Sequence, residues 1–288
     1  MTKIATSPAA SLWGDVWKRF KKNKTAYTSL IFLILLGLMA IFAPQVTPFS
    51  YEEQDISRQL LGPNHINWMG TDSLGRDLYS RIIYGARMSL AVGVIVAFIA
   101  FVIGTLYGAL GGYVGGRLDH LFMRICDILD TFPSLLLMIL ILTFTRRSLF
   151  GIFFALSIVG WVREARLVRG QVLQVKEMTY IEAARAVGTR GWVIVLRHVL
   201  PNILGPLIVT LTFQIPQAML AEAFLSFIGL GLPPPFSSWG TLASEGWRAL
   251  RSYPHLIIFP GSAIFVTMLA FNFLGDGLRD AIDPHLKD

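Results

Sequence analysis

The chain has 288 residues, of which 54% are hydrophobic and only 15% charged, with a mean hydropathy of +0.58. A soluble domain carries about 25% charge, and here the apolar residues gather in long blocks, which argues against a soluble enzyme and for an integral membrane protein. The formal charge of +7 comes from basic residues flanking those blocks, where they set orientation and imply no nucleic-acid partner; the single cysteine, Cys126, rules out an internal disulfide and a cysteine-based zinc site.

The first 25 residues hold Lys3, Lys18, Arg19, Lys21, Lys22 and Lys24. That is too long and too charged an n-region for a signal peptide. The apolar block behind it runs into Pro44 without a small-residue cleavage site, so it is expected to remain as a first span. Residues 11–20 place Leu12, Trp13, Val16, Trp17 and Phe20 close to one helical face, with Lys18 and Arg19 off it. This is the pattern of an amphipathic helix lying on the inner leaflet.

A span needs about 20 apolar residues, and its backbone must bond to itself, so each span should be a helix. Uncharged or sparsely charged stretches predict six: residues 26–51, 88–116, 121–145, 148–162 with a continuation to about Leu167, 199–221 and 252–275. The third carries Arg124, Asp127 and Asp130 near its start. Residues 223–244 are also uncharged, but Gly229, Gly231 and Pro233-Pro234-Pro235 break a helix there. That segment is expected to fold back at the outer surface or against protein. With the amino terminus in the cytoplasm, the inner segments hold 17 of the 25 basic residues and all seven lysines. Both termini are therefore expected in the cytoplasm. Arg146 and Arg147, in a short outer loop, run against that rule and have no explanation in composition.

The long inner connection between the fourth and fifth spans, residues 162–202, is expected to form a compact knob. A helix is predicted over 171–187, with Val172, Val175, Thr179, Ala183 and Ala186 on a small or apolar face. A turn follows at Gly188-Thr189-Arg190-Gly191 with a C-cap glycine, then a second short helix from Trp192 towards Pro201. Glu182-Ala183-Ala184, Gly188 and Leu200-Pro201 resemble the EAA motif of permease subunits of bacterial ABC importers. His198 stands where the general pattern has isoleucine, which reads as a mark of the peptide-transporter branch.

Residues 69–90 strengthen the resemblance. Gly70-Thr71-Asp72, Gly75-Arg76-Asp77, Ser80-Arg81 and Gly85-Ala86-Arg87 resemble the C-type subunit of dipeptide and oligopeptide importers. Locally, Asp72 or Ser73 should cap a helix with Leu74, Leu78, Ile82 and Ile83 as its apolar stripe, an interfacial elbow feeding the second span. Ser237-Ser238-Trp239-Gly240, Gly275-Asp276-Gly277-Leu278-Arg279-Asp280 and Asp283-Pro284 resemble the same branch, so the likeness runs from about residue 11 to 286.

The resemblance implies an all-α polytopic membrane protein with the type I ABC importer permease fold, six transmembrane helices and both termini cytoplasmic, in a bacterial inner membrane. The organisation would be an amphipathic segment at 1–25, the first span and outer elbow at 26–88, a permease core at 89–275 with its coupling loop at about 163–201, and a tail at 276–288. The implied partners are a homologous B-type permease subunit, two cytoplasmic ATPases, an external substrate-binding protein and membrane lipid. The implied substrate is a dipeptide or oligopeptide, although close relatives serve glutathione and nickel chelates. Tyr180, Glu182, Ala183, Ala184, Arg185, Gly188 and Pro201 would couple to the ATPase. Asp130, Glu222 and Asn272 are candidates for lining the pathway; Asp130 could equally pair with Arg124, and Glu222 with a neighbouring arginine.

The residues agree on what this chain would leave to others. It has no GxxxxGK[ST] phosphate loop, so ATP would be bound by partner subunits and no cofactor of its own is expected. No outer loop is large enough for a two-lobed binding domain. His65, His120, His198, His255 and His285 show no metal-ligand spacing, and no nucleophile elbow or other catalytic constellation is present. An ion-driven carrier would need acids near mid-membrane or internal repeats, whereas the charges here sit mostly near span ends.

Overall fold

The computed structural model describes residues 12–145, 148–233 and 236–283. Arg146, Arg147, Pro234 and Pro235, the first 11 residues and the last five lie outside it, and with them the outer-loop arginines and most of the proline run. Among the described residues the chain is helical, with no strand. In order the helices are α1 (Leu12–Lys22), α2 (Lys24–Ile41), α3 (Ala43–Val46), α4 (Leu78–Val114), α5 (Gly116–Thr131), α6 (Ser134–Thr145), α7 (Leu149–Val175), α8 (Thr179–Ala186), α9 (Gly191–Ile194), α10 (Leu200–Phe227), α11 (Trp239–Trp247) and α12 (His255–Ile282).

Four helical stretches are long and apolar enough to cross a membrane: α2, α4, the continuous run Gly191–Phe227, and α12. Helices α5 and α6 reach that length only together, and they are bent by 89° at the break between them. The straight third span expected over 121–145 is therefore broken. Pro133 is the cause, since it pushes Phe132 out of the helical region to φ −82°, ψ 133°. Helix α7 stands where the fourth span was expected, but Arg163, Glu164, Arg166 and Arg169 all fall in its second half.

Helix α4 is the axis of the bundle. Gly104, Gly108 and Gly112 repeat at four-residue intervals and let its backbone approach α7 closely. A Cβ on Gly104 would lie 2.6 Å from Glu164 Cβ and 2.8 Å from the Trp161 carbonyl oxygen. Three turns earlier, Gly93 admits Met219 of α10. Helix α1 is amphipathic as expected: Phe20 is buried with Ala26 and Ala281, joining α1 to the start of α2 and the end of α12. Trp13 and Trp17 remain exposed. The two ends of the described chain thus meet, and Arg19 donates to the Asp283 carbonyl at 3.3 Å.

The opposite end is closed by two non-spanning segments. The elbow does not begin its helix at Leu74. Gly75 takes φ +71°, and Asp72 Oδ1 accepts the Leu74 and Arg76 amides at 2.8 and 3.0 Å, closing a tight loop. Asp77 is the cap instead: it accepts the Ser80 amide at 2.7 Å and starts α4 at Leu78. Asp72 Oδ2 then receives Arg76 at 2.7 Å and Arg81 at 2.5 Å, and Arg81 continues to Glu245 of α11 at 2.6 Å. The described parts of 223–244, residues 223–233 and 236–244, fold back against protein, as expected. Helix α10 runs on to Phe227, Gly229 at φ +84° turns the chain, and Ser238 caps α11. Trp239 is buried and donates its indole N–H to the Ile82 carbonyl at 2.9 Å.

Candidate functional site: an exposed knob and a polar-lined cavity

The knob grows out of α7. The helix expected over 171–187 is broken: α7 stops at Val175, a turn occupies Lys176–Met178, and α8 starts at Thr179. The break lets Ile181 turn back into a cluster with Val168 and Val172 of α7, Ile194 of α9, and Ile203 and Leu207 of α10, where Ile181 and Ile194 are completely buried. Two short helices too small to be stable alone are thus pinned to two long ones. Gly188, at φ +80°, ends α8. Its amide donates to Arg185 O at 2.9 Å and that of Thr189 to Ala184 O at 3.1 Å. This is the paired bonding of a Schellman cap, and it needs the left-handed conformation that glycine adopts without strain. Arg185 lies 5.5 Å from the Tyr113 ring centroid, and Lys176 donates to Gly112 O at the end of α4 at 3.2 Å.

The outward face of the knob sets large apolar side chains among exposed charges, Glu177, Glu182, Arg185, Arg190 and Arg197. Val187 is 81% and Trp192 63% exposed, with Met178, Tyr180 and Leu196 exposed beside them. Glu182, Ala183, Gly188 and Pro201 are exposed and Ala184 half-buried. The Glu182 side chain makes no hydrogen bond or ion pair among the described residues. The second short helix is also revised. After α9 the chain makes one π-helical turn, Val195–Val199, and flows into α10. There the Leu200 amide reaches back five residues to Val195 O, and Pro201, next in line, has no N–H to give. Proline is tolerated at this first turn.

Behind the knob lies a cavity of about 500 Å³ between α4, the α5–α6 bend, α7 and α10. Val96, Ala100, Phe132, Met138 and Leu156 form its apolar wall, and Asp130, Ser134, Arg163, Thr210, Gln214 and Gln217 are its polar groups. Asp130 pairs with Arg166 of α7 at 2.9 Å, and Asp127 does so at 3.1 Å. The partner of this acidic pair is therefore Arg166 and not Arg124, because the α5–α7 crossing, which linear order hides, brings them together. Glu222 is buried away from the cavity. Its Oε1 accepts both Ser226 and Ser238 hydroxyls at 2.7 Å, so it joins α10 to the fold-back segment and meets no arginine. Asn272 is exposed on α12 and does not line the cavity.

Sequence reading passed over Glu164 and Gln214. Glu164 is fully buried, and its Oε2 accepts the Gln214 side-chain amide at 2.8 Å. The signal was present, since Glu164 is the only acid in α7, and an acid within such a helix is a functional candidate by default. No cluster of His, Cys, Asp and Glu suited to a metal ion occurs among the described residues.

Comparison with known proteins is consistent with this geometry. Residues 100–288 match the model of the binding-protein-dependent transport system inner membrane component, and residues 11–63 that of the N-terminal TM domain of oligopeptide transport permease C. The oligopeptide transport system permease protein OppC of Bacillus subtilis is 45% identical over 277 residues, covering 96% of this chain and 91% of that protein. The dipeptide transport system permease protein DppC of the same organism is 45% identical over 281 residues, covering 97% and 88%. Among solved structures, an inward-facing conformation of the MetNI methionine ABC transporter superposes with a TM-score of 0.60 at 22% identity, over 72% of this chain and 98% of that one. With a broken-span helical bundle, a knob on its α7–α10 base and matches that together span most of its length, this chain belongs to the family of inner membrane components of binding-protein-dependent transport systems.

Proposed function

We propose that the protein is the C-type permease subunit of an ATP-driven importer of di- or oligopeptides in a bacterial inner membrane. It forms half of the translocation pathway beside a homologous B-type permease. Counting the bent α5–α6 pair and α7 as spans gives six, with both termini, α1 and the knob in the cytoplasm. The segmentation 1–25, 26–88, 89–275 and 276–288 follows from that placement. Two cytoplasmic ATPases bind and hydrolyse the ATP, and an external binding protein delivers peptide to the elbow and α11 side; this chain itself catalyses nothing.

The observation that carries the reading is the knob. Two helices are anchored by Ile181 and Ile194 to the helices that wall the cavity, while Tyr180, Val187 and Trp192 stand exposed. Large apolar side chains projecting together from a membrane protein call for a partner, and the Glu182 carboxylate, with no side-chain bond among the described residues, is available to polar groups on that partner. ATP binding draws the ATPases together and moves the knob. It can shift the permease between outward- and inward-open states only by the difference in ATPase affinity for the two.

The test is vanadate-sensitive uptake of radiolabelled di- and tripeptides by the reconstituted complex, with ATPase co-purification. Gly188→Pro and Glu182→Lys should reach the membrane yet lose uptake and ATPase coupling. Normal peptide uptake in both would refute the docking role.

A further inference from the structure

We propose that the hydrogen bond between Glu164 and Gln214 is the tie through which α7, carrying the knob, moves the wall of the cavity. The inference rests on the reading of the knob as the docking element and concerns how its motion reaches the pathway.

Four observations converge on this pair. Glu164 is completely buried, and its one hydrogen bond is donated by Gln214 at 2.8 Å. Gln214 lines the cavity, whereas Glu164 does not. The bond therefore joins the helix that leads into the knob to a side chain facing the pathway. Gln214 also lies between Pro206 and Pro216, both inside α10. Each proline removes one backbone hydrogen bond and loosens the helix locally, so residues 206–216 can tilt relative to the flanking turns. Finally, Gly104 of α4 leaves just the room that Glu164 Cβ and Cγ occupy, and a Cβ there would lie 2.6 and 2.8 Å from them. The carboxylate-bearing side chain is thus backed by the α4–α7 contact, the most extensive between two helices among the described residues.

The pair is also incompletely satisfied. Glu164 Oε1 and Gln214 Oε1 are both buried and neither has a hydrogen-bond partner. Orphaned oxygens of this kind are rare in folded proteins and call for a reason. A contact that exchanges partners between two states supplies one: the amide and carboxylate have a second geometry open to them when the α10 segment tilts. Physical coupling between sites requires such a two-state element. Both are positioning residues, acting through the wall rather than by chemistry on the peptide.

The experiment uses the full importer in liposomes, with partner permease, ATPases and binding protein. Glu164→Leu and Gln214→Leu remove the bond at similar volume, while Glu164→Gln keeps an oxygen for the Gln214 amide. Two readouts are taken: peptide uptake per ATP hydrolysed, and the labelling rate of Gln217→Cys by an impermeant maleimide with and without a non-hydrolysable ATP analogue, in a Cys126→Ser background. Each leucine variant should cut uptake per ATP by about fivefold or more, the low end of inter-site coupling. Each should also abolish the nucleotide-dependent change in labelling, and Glu164→Gln should retain both.

If Glu164→Leu fails to assemble, Gln214→Leu decides, because Gln214 is only half-buried. The tie is overturned if the leucine variants keep uptake per ATP, if uptake and hydrolysis fall together in proportion to assembled protein, or if nucleotide leaves Gln217→Cys labelling unchanged in the otherwise unaltered complex. The maleimide readout needs no peptide, so failure of the peptide assignment leaves it intact. A labelling change that survives Gly188→Pro would instead refute the docking reading.

Discussion

The two ends of this molecule treat their polar groups in opposite ways. At the end closed by the elbow and α11, three carboxylates are buried and hydrogen-bonded: Asp72 receives two arginines and two amides, Asp77 caps α4 and accepts Asn67 at 2.9 Å, and Glu222 receives two serines. At the knob, the Glu182 carboxylate is exposed with no side-chain bond among the described residues, and the large apolar side chains Val187 and Trp192 face outward. Desolvated charges stay fixed when their partners are in place, whereas an unpartnered apolar surface is complete only when another molecule covers it. One end is built as a closed polar frame, and the other is the end proposed to dock the ATPase, so on that proposal substitutions should separate stability from coupling according to where they fall.

The sharpest division is Gly188→Pro against Asp72→Ala. Proline cannot take φ +80°, so the first variant should lose essentially all uptake while the cap end keeps its structure; wild-type transport would break the contrast. Asp72→Ala leaves Arg81, only 4% exposed, without its nearest carboxylate. Arg81 keeps Glu245 at 2.6 Å, so the cost falls below the about 3–5 kcal/mol of a buried charge left with no counterion; thermal unfolding of the purified complex should still come earlier, while the uptake per ATP of the surviving complex stays normal.

A milder version of the first is Gly188→Ala, which forces a Cβ into the left-handed region at a cost of about 1–2 kcal/mol with nothing within 4 Å to clash. It should weaken ATPase co-purification without abolishing it. Ser238→Ala removes the α11 cap and one donor to Glu222, and should cost about 1 kcal/mol in melting with no change in coupling. The smallest effect concerns Asp55 in the elbow. The Ser57 hydroxyl it accepts holds its carboxyl below the usual carboxylate range. Its contribution is present above the unfolded-state value and is lost as pH falls through the lower folded-state value. A slight loosening of the elbow under strongly acidic conditions, read as faster proteolysis and absent in Asp55→Asn, would show it.

Much of the plan was legible in the residues. The apolar blocks, the amphipathic α1, the fold-back after α10 and the turn at Gly188 were all visible, because each rests on local rules: length in lipid, helical period and glycine at positive φ. The misses share a cause too. The start of α4 moved from Leu74 to Leu78 because Asp72 spends its carboxylate on a tight loop and two arginines. The third span bends because Pro133 acts where its apolar flanks conceal it. Helix α8 separated from α7 because burying Ile181 against Val172 outweighs continuing a short exposed helix.

The amino-acid order alone determined that this is a membrane chain, where its apolar blocks lie and that a glycine turn sits at Gly188, since hydropathy and turn chemistry depend on neighbours a few residues apart. Only the tertiary structure decided which charges meet. Arg166 takes Asp127 and Asp130, Arg81 bridges Asp72 and Glu245, Glu222 turns to Ser238, and Glu164 finds Gln214. Ion pairing and hydrogen bonding act over a few ångströms, and most of these partners lie tens to well over a hundred residues apart, so only the helix crossings could place them.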